Sequence, residues 1–126
     1  MLTKRILIID DEDDIREVAQ ISLETMAGWE VLTASSGPEG VKLAEAEQPD
    51  LILLDMMMPG MDGPSTLQVL QNNPRTREIP VIILTAKVRA RLLDKQYQGL
   101  GAVGLITKPF NTIELPDQIA GVIGWS

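Results

Sequence analysis

Several short apolar runs in this sequence end on, or just before, a residue able to do chemistry. Asp10 and Asp11 follow the run 6–9, Asp55 closes the run 51–54, Thr85 follows Leu84, and Lys108 stands just beyond Ile106. Carboxylates brought within a few ångströms of one another repel, and at least one takes up a proton more readily unless a cation neutralises them. Oxygen ligands with neither imidazole nor thiolate suit a hard cation, and a shallow, partly hydrated site suits Mg²⁺ better than Ca²⁺. Beside such a cation, a free oxygen of Asp55 can attack phosphorus and form an acyl phosphate. In-line positioning then does most of the remaining work, with Lys108 as a point charge on a phosphoryl oxygen. Each residue alone also has a plainer reading. Asp10 to Asp14 can be a solvated acidic run at a helix N-terminus, which is the whole account of Asp13 and Asp14. Asp55 can be turn chemistry, Thr85 a turn hydroxyl and Lys108 a solvated surface charge. Only their joint arrangement favours the chemical reading.

That arrangement requires elements that carry the run ends to one edge. Residues 5–9 are rich in β-branched types and nearly continuously apolar, as a strand buried on both faces is. From Asp13 to Met26, the residues Ile15, Val18, Ala19, Ser22 and Met26 share one helical face, and Gly28 ends that helix. Residues 29–34 read as a second strand. Ser36-Gly37-Pro38 then opens a helix running to about Gln48. The third strand covers 50–55, a loop 56–63, and Pro64 starts a helix carrying Leu67, Val69 and Leu70. A fourth strand covers 79–84, with Pro80 tolerable near its start. Val88, Leu92 and Leu93 mark a helix over 87–98, and a fifth strand covers 102–106, loosened by Gly104. The last helix carries Leu115, Ile119, Val122 and Ile123; Asn111 with Glu114 predicts a capping box, and Pro116 should shorten or bend the first turn. Alternating strands and helices predict an α/β fold with a parallel sheet, right-handed crossovers and helices on both faces. In such sheets the reactive site lies beyond the carboxyl ends of the strands.

Composition narrows the class further. The chain has 126 residues, 44% of them apolar, so one domain over 1–126 can bury a core without staples. Cysteine is absent, which excludes disulfides and thiolate chemistry and fits a reducing compartment. Histidine is absent as well, so the chain alone supplies no imidazole base and no histidine metal ligand. A net charge of −7 repels phosphate backbones and argues against direct nucleic-acid binding. The apolar runs are too short to span a bilayer, and the N-terminus lacks a signal peptide's long apolar region. A soluble cytoplasmic domain without membrane contact is expected.

In order along the chain, Ile6-Leu7-Ile8-Ile9-Asp10-Asp11-Glu12, the stretch from Pro49 to Gly63 around Asp55, Pro80-Val81-Ile82-Ile83-Leu84-Thr85-Ala86, and Thr107-Lys108-Pro109-Phe110 together resemble the receiver domain of two-component response regulators. The likeness extends over essentially the whole chain. It implies a doubly wound, flavodoxin-like parallel sheet of order 2-1-3-4-5 flanked by five helices. It implies that Asp55 accepts a phosphoryl group from a histidine kinase or histidine phosphotransfer domain. Asp11, Asp55 and the backbone carbonyl of Met57 would hold Mg²⁺, with Asp10 contributing through water. Thr85 would be drawn to the phosphoryl group, Lys108 would pair with it, and the Lys108–Pro109 bond would be cis. Output would pass to a protein partner, with a stand-alone receiver favoured over a module of a larger regulator. The side chains of Met56 and Met58 read as flexible loop fillers.

The chain departs from that pattern at three places. Leu105 stands where the family usually has an aromatic residue, Gly104 replaces a common acidic residue, and no Lys or Arg follows Lys108. Any coupling of Thr85 to an output face must then run through backbone and aliphatic repacking. Three other functions compete. An aspartate-dependent phosphatase would need an acid-base group two residues after Asp55, where Met57 stands. A flavin-type nucleotide binder would need a phosphate cradle after the first strand, where the acids repel phosphate. An inert scaffold of the same fold would have no use for the five polar residues.

Overall fold

The central strands form where the chain is apolar at nearly every position, because a strand covered on both faces has no side to give to water, whereas the edge strand over 30–34 carries Glu30 and Thr33. In a computed structural model that describes residues 3–58, 60, 62–86 and 99–125, β1 (Arg5–Ile9), β2 (Glu30–Ala34), β3 (Leu51–Asp55), β4 (Val81–Ala86) and β5 (Gly104–Lys108) make one parallel sheet of order β2-β1-β3-β4-β5. Four helices are described: α1 (Asp13–Ala27), α2 (Gly37–Glu47), α3 (Gly63–Asn72) and α4 (Leu115–Ile123). The helix expected over 87–98 lies outside the described residues. Alternation along β1 sorts the core into two layers. Leu7 and Ile9 face Ala44, Leu67 and Leu70 of α2 and α3, while Ile6 and Ile8 face Ala19, Leu23 and Ile119 of α1 and α4.

Several boundaries differ from expectation, each for a local reason. β4 and β5 run two residues further than the apolar runs suggest, since Thr85 pairs with Thr107 and Ala86 with Lys108. Backbone pairing continues there under polar side chains. Pro80 stands just before β4, its carbonyl accepting from the Ile52 N–H at 3.0 Å. The buried face of α1 is rotated from the predicted one. Leu23 is fully buried, whereas Val18 and Met26 are exposed. Asn111 makes no capping box: its Oδ1 accepts from the Ile113 N–H at 2.8 Å, and Glu114, at the N-cap of α4, makes no side-chain cap. Pro116 sits in the first turn of α4, where its missing N–H has no helical partner to lose.

Two glycines set how closely elements approach. A Cβ on Gly63 would lie 2.4 Å from Met56 Cα and 2.6 Å from the Asp55 carbonyl oxygen, so α3 starts directly against the end of β3. A Cβ on Gly104 would lie 2.1 Å from Val122 Cγ1, so Gly104 admits α4 onto β5 rather than loosening the strand. The loop after Asp55 alternates in burial. Met56 and Met58 point into the core beside Leu54 and Leu67, while Met57 is 53% exposed. The expectation of flexible fillers at 56 and 58 is therefore corrected: thioethers fill the gap between β3 and α3. No helix among the described residues is long and apolar enough to cross a membrane.

Candidate functional site

Parallel strands of one sheet deliver their carboxyl ends to one edge, and here those ends converge. Asp10 follows β1 and is fully buried. Its N–H donates to the Ala34 carbonyl at 3.1 Å, and its Oδ1 accepts from the Glu12 N–H at 2.9 Å. Asp55, the last residue of β3, is 1% exposed, and its Oδ1 accepts from the Met57 N–H at 3.2 Å. Asp11 is exposed, yet one carboxylate oxygen from each of Asp10, Asp11 and Asp55 lies within 4.8 Å of the other two. Lys108, at the end of β5, reaches across the sheet. Its Nζ lies 3.2 Å from Asp10 Oδ2, 3.3 Å from Asp55 Oδ1 and 3.4 Å from Glu12 Oε1. The Lys108–Pro109 peptide bond is cis.

Two buried atoms in this region have no hydrogen-bond partner among the described residues: Asp55 Oδ2 and Thr85 Oγ1. Leaving a buried polar atom unpaired costs free energy, so both mark places where a ligand atom would be welcome. The electrostatics agree. Burial pushes the Asp55 carboxyl up to about 6, and the nearby Asp10 charge adds to the effect; the Met57 N–H and Lys108 oppose it without cancelling it. Burial also raises Asp10, against the Glu12 N–H and Lys108. For Lys108, burial alone would lower the ammonium, but the charges of Asp10 and Asp55 outweigh it and the net shift is upward. Three carboxylates on one ammonium, with Asp11 close to two of them, leave an excess of negative charge that a divalent cation could neutralise. The donor set is oxygen only, which suits a hard ion.

All the residues singled out from the sequence therefore meet at this edge. Asp10 and Asp55 lie close to Asp11 and are both bonded to Lys108, Thr85 is buried in the neighbouring strand, and Met57 touches Asp55 through its N–H. Glu12 was passed over, although it directly follows the acidic pair and its carboxylate touches Lys108, 96 positions away.

The profile of the response regulator receiver domain matches residues 6–120. The chain belongs to that family. This receiver domain is similar to the phosphate regulon transcriptional regulatory protein PhoB of Pseudomonas aeruginosa, 42% identical over 125 residues that cover 98% of the chain and 53% of that protein. It is similar to the DNA-binding dual master transcriptional regulator RpaA of Synechocystis, 43% identical over 121 residues, 94% of the chain and 48% of that protein. The chain thus spans about half the length of these curated relatives. Among solved structures, the chemotaxis response regulator CheY4 of Vibrio cholerae superposes with a TM-score of 0.86 at 28% identity, covering 96% of this chain and 99% of that one. A CheY-like receiver domain protein from Methanospirillum hungatei gives 0.79 at 31% identity, covering 96% and 94%. The receiver domain of a two-component system is thus the common ground of sequence and fold.

Proposed function

We propose that this domain accepts a phosphoryl group on Asp55 from a histidine kinase or histidine phosphotransfer domain and signals through a protein partner. The observation that carries the reading is the unpartnered buried Asp55 Oδ2 beside the carboxylates of Asp10 and Asp11, with a second unpartnered buried atom, Thr85 Oγ1, one residue past Asp55's register partner Leu84. In the transfer, the Asp55 carboxylate oxygen forms a bond to phosphorus, the phosphorus–nitrogen bond of the donor phosphohistidine breaks, and the imidazole nitrogen keeps the electron pair and takes up a proton. Asp11, Asp55 and the Met57 carbonyl would hold Mg²⁺, with Asp10 acting through water. The bound ion would neutralise charge on the entering phosphoryl oxygens. Lys108, held between Asp10 and Asp55, supplies the positive charge that stays with the phosphoryl group afterwards. Thr85 would exchange its unpaired state for a bond to a phosphoryl oxygen, biasing the end of β4 toward one conformation. Leu105, packed on the same core, would pass that bias on by aliphatic repacking.

Soluble, cytoplasmic operation as one receiver domain over 1–126 belongs to the same proposal. Output through a further domain of the same polypeptide is the second reading, favoured by the greater length of the curated relatives. The test of the main reading is incubation with Mg²⁺ and a small acyl-phosphate donor, followed by intact mass. One labile phosphoryl adduct is expected, absent from Asp55→Asn and absent when the metal is chelated. An adduct that survives Asp55→Asn would refute the assignment.

A further inference from the structure

The start of α1 lacks the usual device for ending a helix. Its N-cap, Glu12, makes no side-chain bond to the helix's free N–H groups, so another contact must fix the turn joining β1 to α1. Arg16 supplies it from one turn inside the helix. Its Nη1 donates to the Asp10 carbonyl oxygen at 2.7 Å and its Nη2 to Asp13 Oδ1. The Arg16 side chain is only 17% exposed, whereas the Asp13 side chain is 87% exposed. An ion pair to so exposed a partner contributes little; the bond to the Asp10 main chain is the one that shapes the site. Asp10 is thereby held at four points: its N–H by Ala34, its carbonyl by Arg16, Oδ1 by the Glu12 N–H and Oδ2 beside Lys108. Asp11 lies within this braced turn and has no side-chain hydrogen bond among the described residues, so its carboxylate is placed by the backbone alone.

We infer that Arg16 is a positioning residue: by bracing the turn 10–13 it holds Asp10 and Asp11 at the spacing from Asp55 that a divalent cation needs. The inference rests on the metal-assisted reading above and adds a residue to it. Two effects of Arg16 have opposite signs, which makes it testable. As a nearby positive charge it repels a cation, so its removal would tighten Mg²⁺ binding. As a brace, its removal loosens the ligands and weakens binding. Because its Nη1 bonds the main chain of Asp10 directly, the brace dominates.

Calorimetric titration of the full chain with Mg²⁺ separates the two. Arg16→Gln is expected to bind about tenfold more weakly, as loss of a partner that orients metal ligands does. Arg16→Lys keeps the charge without the two-pronged geometry and is expected between wild type and Arg16→Gln. Asp13→Asn is expected to match wild type. Equal or tighter binding by Arg16→Gln would overturn the inference. If Arg16→Gln fails to fold by urea denaturation, Arg16→Lys decides: weaker binding supports the brace, wild-type binding overturns it. A wild-type chain that takes up no Mg²⁺ would overturn the metal-assisted reading and this inference with it, an outcome distinct from a failure at Arg16 alone.

Discussion

Replacing Asp55 by Asn should make the metal-free protein more stable at neutral pH, although it removes the residue on which the function depends. Asp55 is 1% exposed, and its carboxyl is pushed up to about 6, against about 3.9 in an unfolded chain. The shift of about two units means that folding around the charged form costs about 3 kcal/mol at pH 8. An amide avoids that cost, while Lys108 keeps Asp10 and Glu12 as partners. A stabilisation of about 1–3 kcal/mol is expected, or about 3–9 °C in Tm for a domain of this size. The sign follows from proton binding: the folded state holds the Asp55 proton more tightly, so this group favours folding more as pH falls from about 7 to about 4. The advantage of the variant is therefore full above pH 7, shrinks through pH 6 and closes near pH 4. Urea denaturation of both proteins in chelator across that range measures it. A variant less stable than wild type at pH 8, or an advantage independent of pH, would refute the reasoning. Mg²⁺ should reverse the ranking, because only wild type keeps the full ligand set and gains binding free energy.

Lys108→Ala removes the cation that Asp10 and Asp55 share, so the Asp55 carboxyl should rise by a further unit or more in an NMR titration; an unchanged value would contradict the geometry. Gly63→Ala forces a methyl against the backbone of Asp55 and Met56 and should destabilise the fold by about 1–3 kcal/mol, read by urea denaturation. The same variant should slow acyl-phosphate labelling, since the displaced backbone carries Asp55. Leu105→Ala trims a half-buried side chain and should cost about 1–2 kcal/mol in the same assay, while leaving labelling by a small donor intact.

How much could be read from the amino acids depends on which signal each element carries. β1 and β3 are apolar at nearly every position and flank acids, so their ends, and with them Asp10, Asp11 and Asp55, stood out. β4 and β5 end under Thr85, Thr107 and Lys108, where backbone pairing holds polar side chains and hydrophobicity is silent. The rotation of α1 was hidden because Val18 and Met26 fit the same period as Leu23, and only the neighbouring helix decides which face is covered. Met56 and Met58 carry no pattern of their own; Gly63 brings α3 close enough to bury them. Glu12 and Arg16 were missed for a related reason. Their roles arise from a turn that folds back on Asp10 and from Lys108 arriving along a distant strand, which spacing along the chain does not encode.

The most direct test of the convergence of Asp10, Asp11, Asp55 and Lys108 into one phosphoryl-accepting site is to map the modified atom. After incubation with an acyl-phosphate donor and Mg²⁺, borohydride reduction converts a phosphorylated aspartate to homoserine, which peptide mass spectrometry locates. Homoserine at position 55 alone is expected. Homoserine at position 10 or 11, or a phosphoryl adduct with no homoserine anywhere, would contradict the account.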